Sequence, residues 1–431
     1  MRQIFLFLMM LGLASAANAQ EPTVPNATVI AVPPLTSPDS GTRGNEMLQV
    51  GWQATQVIMS DLQQTSELMP LKTSRDDYYS YPEVTAPNFQ KWRSAGARAL
   101  VTGFVQARSD GRLTFGCYVY DVEKGRELVR KGFVLTPGEW RRAAHKCAGL
   151  AYTAATGAPG MFDTRIAYVA ESDVGQREIR RIAVMDSDGL NLRFVTAGDA
   201  LVLTPRLSPK GNQLVYVSDV SGMPSVWVMD LGSSKERPLL PTNSISFAPR
   251  FSPDGNRIAF SMMFGPNSDI YVVSAGGGLP QRLTTTPGVN TDPSFSPDGN
   301  KIVFESDRGG SQQLYVMNAD GSGQRRISFG AGGYASPEWS PDGQWIAFTH
   351  RGPGGRRIGI VRPDGTGERI LTSGPTDEGP AWAASSRAIL FQRSNPSRLS
   401  ALYRILIDGG DVTKIAIPQG GSDPDWSGVL D

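Results

Sequence analysis

Residues 249–260 read PRFSPDGNRIAF, and the C-terminal two-thirds of the chain is built by re-using this stretch. Near-copies begin at Pro205 (PRLSPKGNQLVY), Pro293 (PSFSPDGNKIVF) and Pro337 (PEWSPDGQWIAF), and degenerate ones at Pro380 (PAWAASSRAILF) and Pro424 (PDWSGVLD). The leading prolines are separated by 44, 44, 44, 43 and 44 residues, a period that marks a repeat architecture. Within the unit, Ser252-Pro253-Asp254-Gly255 is a reverse turn: proline presets φ for the first turn position, aspartate tolerates the second, and glycine supplies the positive φ. A short strand therefore precedes the turn and a second, Ile258-Ala259-Phe260, follows it. Each unit continues with an apolar and aromatic run such as Ile270-Tyr271-Val272-Val273, a Gly-rich turn and a last strand such as Gln281-Arg282-Leu283-Thr284. Four strands per unit make a propeller blade.

Counting predicts how the ring closes. The second-strand signature begins at Ile166, Leu214, Ile258, Ile302, Ile346 and Ile389, and the leading-proline strand also occurs six times, but the two series are out of step. The first signature has no proline strand before it, and the last proline strand has no signature after it. The simplest repair joins residues 424–427 to the three strands of 165–196 in one composite blade, which removes the free edges an open array would leave. Six blades are expected. A solenoid would need caps, whereas these ends complement one another.

Gly 48 and Pro 31, about 18% of the chain, reflect the abundance of turns and stay below the low-complexity range. With Lys+Arg 42 against Asp+Glu 41, the net charge of +1 points to no polyanion or membrane surface. The first nineteen residues read as a signal peptide: Arg2 precedes an apolar run over 4–17, and Ala17-Asn18-Ala19 places small residues before a cut between Ala19 and Gln20. The run is too short to span a bilayer, and the first cysteine, Cys117, is far from the cut, so neither an anchor nor lipid attachment is expected there. Cys117 and Cys147 are either a disulfide or two buried thiols; in an exported chain the two readings weigh equally.

Ahead of the repeats the pattern is mixed. Residues 26–35 read as a strand ending at Pro33-Pro34. The run 45–68 places Met47, Val50, Ala54, Val57, Ile58 and Leu62 at helical spacing, with Asn45 as cap and Pro70 as stop. Strands follow at 99–106, 113–120 and 127–135, and Thr136-Pro137 opens a second helix that stops at Gly157. The expected organisation is a signal peptide (1–19), an α/β N-terminal domain (20–158) and an all-β six-bladed β-propeller (159–431) closed by the C-terminal strand.

Several features carry a family resemblance: Arg141-Arg142-Ala143-Ala144-His145 in the second helix, Thr156-Gly157 with Gly160 and Phe162 leading into Thr164-Arg165-Ile166-Ala167-Tyr168, and the SPDG repeats. Together they resemble the TolB family, exported propeller proteins of the Tol-Pal envelope system, over nearly the whole chain after residue 19. The resemblance implies a non-catalytic periplasmic scaffold between the inner-membrane protein TolA and the outer-membrane lipoprotein Pal, with other Tol-Pal components in attendance. It further implies a part in outer-membrane constriction at cell division and in envelope integrity. It puts the TolA contact on the N-terminal segment, represented by Glu21, Val29 and Ile30, a stretch here rich in proline and threonine. It puts the Pal contact on the propeller face where the chain enters each blade, represented by Ile245, Ala248, Thr291, Asp292 and Ser336.

Other chemistries find little support. An exported propeller enzyme of peptidase type would carry a Gly-x-Ser-x-Gly elbow, which the sequence lacks. A lyase holding a metal on several histidines would need more than His145 and His350. His145 is expected to order the contact between domains. Asp186-Ser187-Asp188-Gly189 lacks the closing glutamate of a calcium loop and reads as a turn. Asp292, Asp377, Glu378 and Asp423 could converge near the propeller axis, where clustered carboxylates attract calcium, and a small ligand in the channel stays open as an alternative. No cofactor, catalytic residue, membrane insertion or nucleic-acid site is expected, the last for want of a basic stripe or recognition motif.

Overall fold

A computed structural model describes residues 27–430 of the chain except 66, 75, 76, 78, 175, 176, 242, 243 and 395–398. The signal-peptide reading and Ala19, Gln20 and Glu21 lie outside these residues.

The N-terminal part is a five-stranded sheet: β1 (Thr28–Ala31), β2 (Leu68–Pro70), β3 (Ala99–Ala107), β4 (Leu113–Asp121) and β5 (Arg126–Leu135), in the order β2-β1-β3-β4-β5. β1 runs parallel to both neighbours, and the other pairings are antiparallel. Two long helices, α1 (Gly41–Gln63) and, after the short α2 (Phe89–Ser94), α3 (Trp140–Thr156), cover one face. Their buried stripes, among them Ala54, Ile58 and Leu62 on α1 and Ala144, Ala148 and Ala151 on α3, meet Val101, Phe115 and Val119 of the sheet. Cys117 on β4 and Cys147 on α3 form a buried disulfide at Cα–Cα 5.8 Å. It closes a loop of 30 residues and so removes ~3–4 kcal/mol of unfolded-state entropy in the loop-closure account.

The first helix differs from its sequence reading. It starts at Gly41 behind Ser40, not at Asn45, and ends at Gln63, because Leu68 leaves the helical stripe to pair with Thr28 in the sheet. Gly51 lets α1 lie against the chain at Leu35, where a Cβ would stand 2.3 Å from the carbonyl oxygen.

α3 ends at Gly157, whose φ of 77° is the left-handed helix cap that glycine adopts without strain. Eight residues later, at Arg165, the propeller begins with its first strand. Its six four-stranded sheets include one composite, in which Gly420–Trp426 pairs antiparallel with β6 (Arg165–Val174), followed by β7 (Arg177–Asp186) and β8 (Arg193–Phe194). The innermost strands of the other blades are Val202–Leu207, Ser246–Phe251, Asn290–Phe295, Gly333–Trp339 and Asp377–Trp382. The apolar clusters lie between blades. Val215 and Val228 of one blade, for instance, pack on Ile258 and Phe260 of the next. Each blade thus completes its neighbour's core.

The two parts meet at the face where the innermost strands end. His145 Nδ1 lies 2.7 Å from Asp61 Oδ2, and its Nε2 faces Asp186 and Asp188 of the propeller at 3.8 and 3.9 Å. Arg141 donates to Asp186 (3.3 Å) and Asp188 (2.5 Å), and Arg142 donates to Asp163 (3.3 Å). At the far side of the contact Arg387 pairs with Glu67 and donates to the Tyr152 hydroxyl, while Arg404 donates to Gln64. His145 therefore orders the contact between the two parts, and the turn at Asp186-Ser187-Asp188-Gly189 supplies its acidic side.

Burial alone would lower the His145 pKa, but Asp186, Asp61 and Asp188 outweigh it and raise it to about 10. Burial pushes Asp61 up to about 6 against the pull of His145. The signs follow from linkage. The His145 contribution is fully present below its unfolded value of 6.5 and is lost as pH rises toward about 10. The Asp61 contribution, present below its unfolded value of 3.8, is lost as pH rises through about 6, mostly before the His145 loss. Chemical denaturation should show stability declining from neutrality to pH 9.5. Glu305 in the channel titrates in the lower half of that window, so the measurement is the difference between wild type and His145→Gln, which should narrow as pH rises; a pH-independent difference would contradict the assignment.

Candidate partner-binding face

The residue just before each leading proline sits in left-handed backbone in all six blades: Thr204 (φ 46°), Ala248 (50°), Asp292 (52°), Ser336 (48°), Gly379 (63°) and Asp423 (49°). A pre-proline residue is ordinarily pushed to extended backbone, and a non-glycine residue at positive φ costs roughly 1–3 kcal/mol. In every blade the ladder between first and second strands shifts register at this point, between Phe247 and Arg250 in one, between Thr291 and Ser294 in the next. The strained residue is thus a bulge repeated around the axis, held because packing between blades fixes the strand on both sides of it.

The residues after the prolines form a second ring: Arg206, Arg250, Ser294, Glu338, Ala381 and Asp425. Three of them accept a backbone N–H from a neighbouring blade: Asp425 from Leu207 (2.7 Å), Ser294 from Trp339 (3.2 Å) and Glu338 from Trp382 (3.0 Å). Arg250 cannot accept, and instead reaches across the channel to Glu338 (2.7 Å) and Asp425 (3.2 Å). A cavity of about 280 Å³ opens below this brace on the side of the N-terminal part, rimmed by Pro209, Pro253, Pro297 and Pro341.

The opposite mouth, where the innermost strands begin, holds the residues singled out from the sequence. Ile245 is half-buried; Ala248 and Thr291 are buried, Thr291 accepting a hydrogen bond from Ser261 (3.1 Å); Asp292 and Ser336 are half-buried. Glu305, missed from sequence, ties this group together: it stands beside Thr291 in the ladder and accepts the Ser336 N–H (3.1 Å). Burial, with the Asp292 carboxylate adding to it, pushes Glu305 up to about 8. Burial likewise raises Asp292, against Arg206, Arg250 and Arg351. The other carboxylates considered for a channel cation have partners of their own. Asp377 is gripped by Arg393 at 2.6 and 3.0 Å, Glu378 pairs with Arg356 at 3.0 Å, and Asp423 accepts from Thr204 N at 3.3 Å. Register counting could have found the post-proline ring, since its members share one repeat position; Glu305 shares no such signal.

The N-terminal residues singled out from the sequence are placed differently. Ile30 is fully buried and Val29 half-buried in β1, which is flanked by β2 and β3.

Comparisons with known proteins agree with this architecture. The family model of the TolB beta propeller domain matches residues 152–430, and that of the TolB amino-terminal domain matches residues 22–128. The Tol-Pal system protein TolB of Zymomonas mobilis is 49% identical over 209 residues, 48% of this chain and 46% of that protein. The Rhizorhabdus wittichii TolB is 49% identical over 190 residues, 44% of this chain and 43% of that one. In both cases the match spans less than half of the relative's length. The crystal structure of TolB from Acinetobacter baumannii superposes with a TM-score of 0.75 at 26% identity, covering 93% of this chain and 96% of that one.

The Arg250 brace has a direct test. Arg250→Leu takes the shared cation from two buried carboxylates, leaving them their backbone N–H donors, and should lower stability by roughly 3–5 kcal/mol, read from the midpoint of chemical denaturation. A loss below about 1 kcal/mol, the range of an exposed pair, would show that the brace does not hold the channel.

Proposed function

The chain belongs to the TolB family, and from that premise we propose that it is a non-catalytic periplasmic scaffold of the Tol-Pal system, linking TolA at its N-terminal end to Pal on its propeller. In this role it supports outer-membrane constriction at division and keeps the envelope intact. The observation that carries the reading is the double family match along the chain, joined to a propeller mouth ringed by six left-handed pre-proline residues, five of them strained non-glycines, on the face away from the N-terminal part. Strain of this kind is kept where surrounding structure over-determines it, and it recurs at sites that bind.

The Pal contact is assigned to the mouth around Ile245, Ala248, Thr291, Asp292 and Ser336. Several blade loops together can supply the ~800 Å² per partner of a typical stable interface. Raised carboxyls at Asp292 and Glu305 make that surface less negative at neutral pH than its composition suggests. The TolA contact is assigned to the segment ahead of β1, including Glu21. Val29 and Ile30 are committed to the sheet and join that contact only with β1 withdrawn from between β2 and β3. Among the described residues no helix is long and apolar enough to cross a membrane.

Calorimetric titration with the soluble domain of Pal from the same organism tests the assignment. One-to-one binding is expected, weakened on the order of tenfold or more by Ile245→Arg and Thr291→Arg, with unchanged circular dichroism as the folding control. Absence of binding at high micromolar concentration would remove the Pal assignment.

A further inference from the structure

Strand β5 is the outer strand of the N-terminal sheet, paired along its length with β4 and, among the described residues, with nothing on its other side. Its ten residues, RELVRKGFVL, leave a row of backbone donors and acceptors unpaired. Beside it, between β5, α3 and the C-terminal residues Val429 and Leu430, a largely apolar cavity of about 400 Å³ opens, lined by Lys131, Phe133, Lys146, Leu150, Phe162 and Asp163, the last held by Arg142 at 3.3 Å and by Lys146. A second hollow of about 130 Å³ continues it along Phe133, Val134 and Leu135 to Arg142. A free strand edge beside a helix with an apolar groove between them is the geometry by which extended peptides are taken up as an added strand.

The charges select the occupant. β5 carries Arg126, Arg130 and Lys131, all exposed, against the single acid Glu127, which pairs with Arg130 at 3.4 Å. Lys131 has no ion pair among the described residues, and Lys146 meets only Asp163, at 3.7 Å. A second copy pairing antiparallel about Arg130-Lys131 would set basic against basic, which is destabilising in a cross-strand pair.

We propose that this groove binds an extended acidic segment of another protein as a sixth strand, carboxylates over Lys131 and Lys146 and an apolar side chain between Phe133 and Leu150. The site lies between β5, α3 and the chain's C-terminal residues, apart from the propeller mouth. The probe is a fluorescein-labelled peptide, Glu-Val-Glu-Val-Glu-Phe-Glu-Val, titrated by anisotropy against the full chain, with every glutamate replaced by lysine in the control. Saturable binding of the acidic peptide alone is expected, with slowed amide exchange confined to residues 126–135. Lys131→Glu should weaken it on the order of tenfold while leaving the Pal titration unchanged. No binding up to about 1 mM, the weak end of specific affinities, would overturn the proposal. Equal binding of the lysine peptide, or of the acidic peptide to Lys131→Glu, would do the same. So would a dimer in sedimentation abolished by Lys131→Glu, or binding seen only after deletion of residues 1–26, since these make a second copy or the chain's own leading segment the occupant.

Discussion

The pairing of Gly420–Trp426 with β6 is the constraint on which the rest of the structure depends. It makes a blade from the two ends of the repeat region, and its bonds continue past the strand. Ser427 N donates to Arg165 O (2.8 Å), Trp426 Nε1 to Thr164 Oγ1 (2.8 Å) and Leu430 N to Asp163 O (2.8 Å). These last contacts fall on the segment that joins α3 to the propeller. The same strand therefore shuts the ring and fixes the exit of the N-terminal part. Because the apolar clusters lie between blades, opening this junction would expose the cores on both sides of it.

Charged contacts fix how the two parts sit on one another. Asp61, Asp186 and Asp188 converge on Arg141 and His145, three carboxylates against two cations in a largely buried contact. Asp61, His145 and Asp188 come close enough to hold a metal ion, yet Arg141 already meets the Asp188 carboxylate. Such an arrangement contributes little net stability over an apolar contact but is demanding in geometry, so it suits a joint that must hold one orientation. The channel repeats the device: Arg250 spans it between Glu338 and Asp425, and burial raises the carboxyls of Asp425 and Asp292 toward protonation.

Most of the propeller was legible in the sequence because its determinants are local and repeated. The SPDG turn, the alternating strands and the mismatch between the two counts are enough to give six blades and a composite closure. What stayed hidden is non-local. Thr204 and Ala248 precede prolines, and the sterics of that dipeptide argue for extended backbone; only the closed ring imposes the bulge. Asp61 reads as one polar position on a helix, and its partner His145 lies 84 residues away. Leu68 fits the helical spacing of α1 by coincidence, and its real partner, Thr28, could not be chosen from periodicity. Sequence left the cysteines undecided because Cα separation is a property of the folded sheet and helix.

Native-state hydrogen exchange on Trp426→Ala tests the dependence on the closing strand most directly. Removing this indole should destabilise by about 3–5 kcal/mol. Protection is predicted to fall together in β6, in the segment 157–164 and in the blades on both sides of the junction, since all share that pairing. Loss of protection confined to residues 420–430, with β6 and the joint to the N-terminal part unchanged, would contradict it.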